Sequence, residues 1–125
     1  MNSIKSEKFS VLKRLQSIGY AVSGILSFFK TQHNAIIHLC STVTVVMAGL
    51  FFAIPVNEWL AIILVTGFVW VAEVFNTAIE AIMDHVSPEQ HPKVKYIKDV
   101  AAAAVLLAAI TAVLTGVLIF IPKLF

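Results

Sequence analysis

Glu73, Asn76, Glu80 and Asp84 lie inside or at the end of a hydrophobic stretch long enough to cross a membrane. At about 100° per residue, their spacings of three, four and four confine them to an arc of roughly 80° on one side of a helix. Ionisable groups at membrane depth are costly, so they usually face a protected interior and serve a function. A stripe of carboxylates of this kind can bind a divalent cation, carry protons or hold a cationic substrate. Lys93, Lys95 and Lys98 follow close to Glu80 and Asp84 and beside Asp99. Mixed acidic and basic groups suit a metal–polyphosphate ligand, with carboxylates taking the metal and lysines the phosphate oxygens. The same lysines equally satisfy the charge bias of loops on the cytoplasmic side of a membrane.

The composition places these residues in a membrane protein. Of 125 residues, 59% are hydrophobic and 13% charged, against about 25% charged in an ordinary soluble domain. The length suits one domain, residues 1–125. The single cysteine, Cys40, excludes a disulfide framework or a cysteine zinc cluster within the chain. No cleavable signal is expected, because no uninterrupted apolar core follows Lys5, Lys8, Lys13 and Arg14. The net charge of +2 is small, and no nucleic-acid partner is expected.

Four helices must position the stripe. Residues 4–30 read as an amphipathic helix, with Val11, Leu15, Ile18, Val22, Ile25 and Phe29 on one face and Lys13, Arg14 and serines opposite, suited to the headgroup region. Apolar stretches at 35–54, 59–83 and 100–121 read as transmembrane spans, since a core of about 30 Å needs about 20 helical residues. Trp59 is placed as an interfacial anchor, and His38 as a packing or hydrogen-bonding residue. Pro55–Glu58 makes a tight turn, while two prolines shape the connection Ser87–Lys93. Eight of the nine Lys and Arg residues fall in the N-terminal region or within residues 85–98, which predicts a cytoplasmic N-terminus and an acidic stripe opening toward the cytoplasm. No glycine-rich phosphate loop is present.

The segment Glu73-Val-Phe-Asn76-Thr77-Ala78-Ile79-Glu80-Ala-Ile-Met-Asp84 resembles the signature of the prokaryotic diacylglycerol kinase family, E-x-x-N-[ST]-[SA]-[IL]-E-x-x-[VM]-D. The likeness continues through Ser87, Glu89, His91 and Lys98-Asp99, and upstream through Gly19-Tyr20 and Gly24. It implies an all-α lipid kinase of the bacterial inner membrane, with one surface helix and three spans, assembled as a homotrimer. The implied reaction transfers the γ-phosphate of ATP, with Mg2+, to a membrane lipid alcohol. Diacylglycerol is the generic acceptor. Undecaprenol is the alternative, to which His33-Asn34-Ala-Ile-Ile-His38-Leu is the more similar. By resemblance, Glu73 is the general base and Glu80 a magnesium ligand. Lys13, Tyr20, Glu89, Gln90, His91, Lys98 and Asp99 hold the nucleotide, and Asn76 and Asp84 orient the site. Gln32 stands where the family commonly has a second metal-binding glutamate, so metal binding there lacks a negative charge. A small cation or proton-coupled transporter would account for the intramembrane glutamates alone, but not for the Lys98-Asp99, Glu89 and His91 matches.

Overall fold

The computed structural model describes residues 8–125 and is helical in each of its four elements: α1 (Val11–Thr31), α2 (His33–Phe51), α3 (Val56–Val86) and α4 (Pro92–Leu124). Residues 4–7 of the expected surface helix lie outside the described residues. The chain forms two compact units, one ending at Ala35 and the other spanning Ile36–Phe125.

In the first unit, Ser10 caps α1, its hydroxyl accepting from the backbone N–H of Lys13 at 3.4 Å. Lys30 in the last turn complements the negative end of the helix dipole. The apolar face remains uncovered, with Val11, Leu15, Ile18, Val22 and Ile25 all at least half exposed, as a helix lying in a headgroup region requires. Helical geometry stops at Gln32, an extended residue (φ −107°, ψ 113°) whose N–H still donates to the Phe28 carbonyl at 3.0 Å.

The second unit contains most of α2 together with α3 and α4. These three helices are long and apolar enough to cross a membrane. Two ion pairs fix α3 and α4 in one antiparallel register: Lys98 to Asp84 at 2.5 Å near one end, and Lys123 to Glu58 at 2.8 Å near the other. Helices α2 and α3 meet through side chains instead. His38 reaches Glu73 and Thr42 reaches Trp70, so a step of four along α2 matches a step of three back along α3. Near their connection Ile54, Ile62 and Ile119 form a small core, packed by Val45, Phe52, Trp59 and Phe120. Trp59 has a packing role as well as its expected place at a span end. A Cβ on Gly49 would lie 2.6 Å from the Trp59 ring, so only glycine admits that approach.

Two helices run past the expected spans. At about 1.5 Å per residue, the 31 residues of α3 and the 33 of α4 exceed a hydrocarbon core of about 30 Å. Both excess lengths are polar. α3 continues through Asp84 to Val86, and α4 begins seven residues before Asp99 with Pro92 in its first turn, capped by His91 Nδ1 accepting from the Lys93 N–H at 3.1 Å. The extensions carry the charged residues out of the apolar layer on rigid helix rather than on loop.

Candidate active site

The acidic stripe is graded along α3. Glu73 is the deepest member and only 4% exposed. His38 Nε2 and Glu73 Oε1 lie 2.6 Å apart across the gap between α2 and α3, and with the carboxylate ionised the ring N–H is the donor. The Trp70 ring flanks the imidazole, and Thr42 ties Trp70 to the α2 backbone at His38. Thr42 Oγ1 donates to the His38 carbonyl at 2.7 Å and accepts from Trp70 Nε1 at 3.0 Å, and the Trp70 ring meets the imidazole edge-on with centroids 6.0 Å apart. A buried carboxylate needs such a partner, because an uncompensated charge at mid-membrane costs about 2.5–3.5 kcal/mol on insertion scales.

One turn further, Asn76 Nδ2 donates to Glu80 Oε1 at 3.4 Å, a bond four residues apart along the same face. Asn76 Oδ1 is buried and has no hydrogen-bond partner among the described residues. An unsatisfied amide oxygen beside a carboxylate is a pair of oxygen donors of the kind a hard divalent cation takes. Among the described residues no three His, Cys, Asp or Glu side chains gather as a complete metal site. A magnesium ion here would complete its shell with phosphate oxygens and water, its usual habit at nucleotide sites.

Beyond Glu80 the stripe opens into a cavity of about 570 Å3 at the α3–α4 connection. It is lined by Asp84, Glu89, Gln90, His91, Lys98 and Asp99, and Lys95 joins them. The side chains here are tied in pairs, Lys98 with Asp84 and Lys95 with Asp99; Lys98 is about two-thirds buried at the cavity wall, whereas Lys95 and Asp99 stand largely in solvent. Three carboxylates and two ammonium groups suit a metal-bound polyphosphate better than a bare anion. A separate, largely apolar cavity of about 360 Å3 lies among α2, α3 and α4, with His38, Thr42 and Trp70 on its wall.

The structure thus gathers six of the expected site residues around one cavity and sets Asn76, Glu80 and Glu73 at successive depths on the helix that leads from it. Lys13, Tyr20 and Gln32 belong to the first unit. Tyr20 is 75% exposed on α1, and Gln32 is the half-buried residue that separates α1 from α2. Sequence reasoning missed the pairing of His38 with Glu73, although the signal was present. The two residues stand at nearly equal distances on either side of the Pro55–Glu58 turn, and a buried carboxylate in an antiparallel hairpin calls for a polar partner at its own depth.

The family model for prokaryotic diacylglycerol kinase matches residues 19–120. An undecaprenol kinase of Bacillus subtilis is 32% identical over 120 residues, covering 96% of this chain and 98% of that protein. A diacylglycerol kinase of Synechocystis is 37% identical over 111 residues, covering 88% of this chain and 63% of its own length. A diacylglycerol kinase of Pseudomonas aeruginosa is 35% identical over 96 residues, covering 74% of this chain and 76% of its own.

Proposed function

This chain belongs to the prokaryotic diacylglycerol kinase family and is a multi-pass membrane lipid kinase; we propose that it moves the γ-phosphate of ATP to the hydroxyl of a membrane lipid alcohol at the Glu73 end of the α3 stripe. The observation that carries this reading is the gradation itself: a buried carboxylate at apolar depth, connected along one helix face to a cavity of paired acids and lysines. The lipid hydroxyl oxygen bonds to the γ-phosphorus as the bond to the β-phosphate's bridging oxygen breaks. ADP leaves, and the hydroxyl proton passes to Glu73. His38 occupies Glu73 Oε1, which leaves Oε2 to take that proton.

Asp84, Glu89, Gln90, His91, Lys98 and Asp99 hold the nucleotide in this reading; Lys13 and Tyr20 are assigned to nucleotide binding by the family resemblance alone. Glu80 would hold magnesium, with Gln32 assigned to the metal by resemblance, and Asn76 keeps the Glu80 carboxylate aimed. Bound magnesium would neutralise phosphate charge and fix the phosphates for in-line transfer. The single domain sits in the bacterial inner membrane with its N-terminus and site on the cytoplasmic side, and works as a homotrimer. The family match favours this kinase reading over the small transporter suggested by the acidic stripe alone.

Diacylglycerol is the first acceptor, giving phosphatidic acid. Undecaprenol is a second reading with an observation of its own, the nearly end-to-end match to the Bacillus subtilis protein. Purified protein in mixed micelles with labelled ATP, magnesium and the two alcohols offered separately and together tests both. Label in a phosphorylated lipid is expected, and the competition gives the preference. No label in either lipid would overturn the proposal.

A further inference from the structure

We infer that His38 is a positioning residue for phosphoryl transfer, holding the Glu73 carboxylate so that one oxygen is presented to the lipid hydroxyl. The inference rests on the reading of Glu73 as general base. Glutamate has three rotatable side-chain bonds, and in an apolar slot little else fixes them. His38 Nε2–H supplies that constraint by donating to Oε1 at 2.6 Å. The holder is itself held. Thr42 bridges the His38 carbonyl and Trp70 Nε1, while Trp70, three residues from Glu73 on α3, braces the imidazole edge. Trp70 and Thr42 thus tie α3 to the α2 backbone at His38, and moving the imidazole gives up its bond to Glu73 and its edge contact with Trp70.

The geometry has a chemical consequence. A general base must lie within about 2.6–3.2 Å of the proton-bearing atom in the reacting complex. With Oε1 held, the carboxylate has one oxygen left for that contact and one orientation in which to offer it. During transfer the proton of the lipid hydroxyl goes to Oε2 as the new oxygen–phosphorus bond forms and ADP departs. His38 keeps its own proton throughout and touches neither lipid nor ATP. A histidine that merely satisfied a buried carboxylate would affect stability and leave turnover per folded molecule alone.

The test uses the full chain in mixed micelles, with kcat, KM for lipid, KM for ATP and the thermal unfolding midpoint measured for each variant. His38→Leu removes the donor, His38→Gln can return an amide N–H to about the position of Nε2, and His38→Asn is too short to do so. Misplacing a catalytic group by about 1 Å can cost on the order of 100-fold, so His38→Leu is expected to lower kcat by about 10–100-fold with KM for ATP nearly unchanged. His38→Gln should recover most of that loss and His38→Asn little of it, a comparison that stands even where the leucine variant does not fold. In a Glu73→Gln background, changing His38 should lower kcat no further. Undiminished kcat in His38→Leu, equal kcat in His38→Gln and His38→Asn, or the same fold-loss in both backgrounds would overturn the inference. Wild-type turnover in Glu73→Gln alone would overturn instead the reading of the base.

Discussion

Glu73 and Glu80 lie on one helix seven residues apart in different surroundings, and the proposed reading gives them different work. Glu73 is buried against an imidazole, whereas Glu80 is half-buried and bonded to an amide whose own oxygen is unsatisfied. Replacing Glu73 by Gln preserves shape and removes basicity, so kcat should fall by about 10²–10⁴-fold, the usual worth of general-base catalysis, with KM for ATP little changed. Glu80→Gln should instead raise the magnesium concentration needed for half-maximal rate. Steady-state titrations in ATP and magnesium separate the two, and an identical change in both variants would contradict this division. The family resemblance assigns Gln32 to the same proposed metal shell, as a neutral amide oxygen in place of the expected carboxylate. Magnesium is a hard cation that favours charged oxygen ligands. Gln32→Glu is therefore expected to shift the magnesium titration to lower concentration and to increase magnesium-dependent thermal stabilisation. An unshifted titration would remove Gln32 from the metal shell.

The α2–α3 hairpin shows how the elements hold that site in register. Helix α2 ends with Ile54 N–H donating to the Gly49 carbonyl at 3.1 Å and Ala53 N–H to the Leu50 carbonyl at 3.2 Å, the paired bonds of a Schellman ending. Such an ending puts one residue in the left-handed region, and here it is Ala53 with φ 47°. Glycine carries no Cβ penalty in this conformation. Ala53→Gly should therefore raise stability by about 0.5–1 kcal/mol, seen as a higher unfolding midpoint in detergent. Gly49→Ala has the opposite expectation. Its Cβ would fall 2.6 Å from the Trp59 ring, and the overpacking should cost about 1–3 kcal/mol and loosen the hairpin that sets His38 opposite Glu73. A midpoint unchanged by Gly49→Ala would mean that the Trp59 ring moves aside without cost.

At the scale of the molecule, one chain has a large apolar exterior, with Leu64, Phe68, Leu107 and Leu118 each at least 60% exposed on α3 and α4. Lipid covers such a surface, and neighbouring copies can share it. Crosslinking in native membranes is expected to give trimers, and a ladder that stops at monomer would count against the assembly. The helices, their apolar character and the acidic face were legible in the sequence because helical periodicity and span length are local properties, set by residues a few positions apart. The motif from Glu73 to Asp84 carried the family for the same reason. The sequence did not reveal that α3 and α4 continue as rigid helix to both sides of the Ser87–His91 connection, because a run of charges reads as loop until its partners, Asp84 for Lys98 and Asp99 for Lys95, are in place. Nor did it join His38 to Glu73 or Gly49 to Trp59. Those contacts depend on the rotation of two helices about their own axes and on the register of a hairpin, and both are settled only when side chains from separate segments pack against each other.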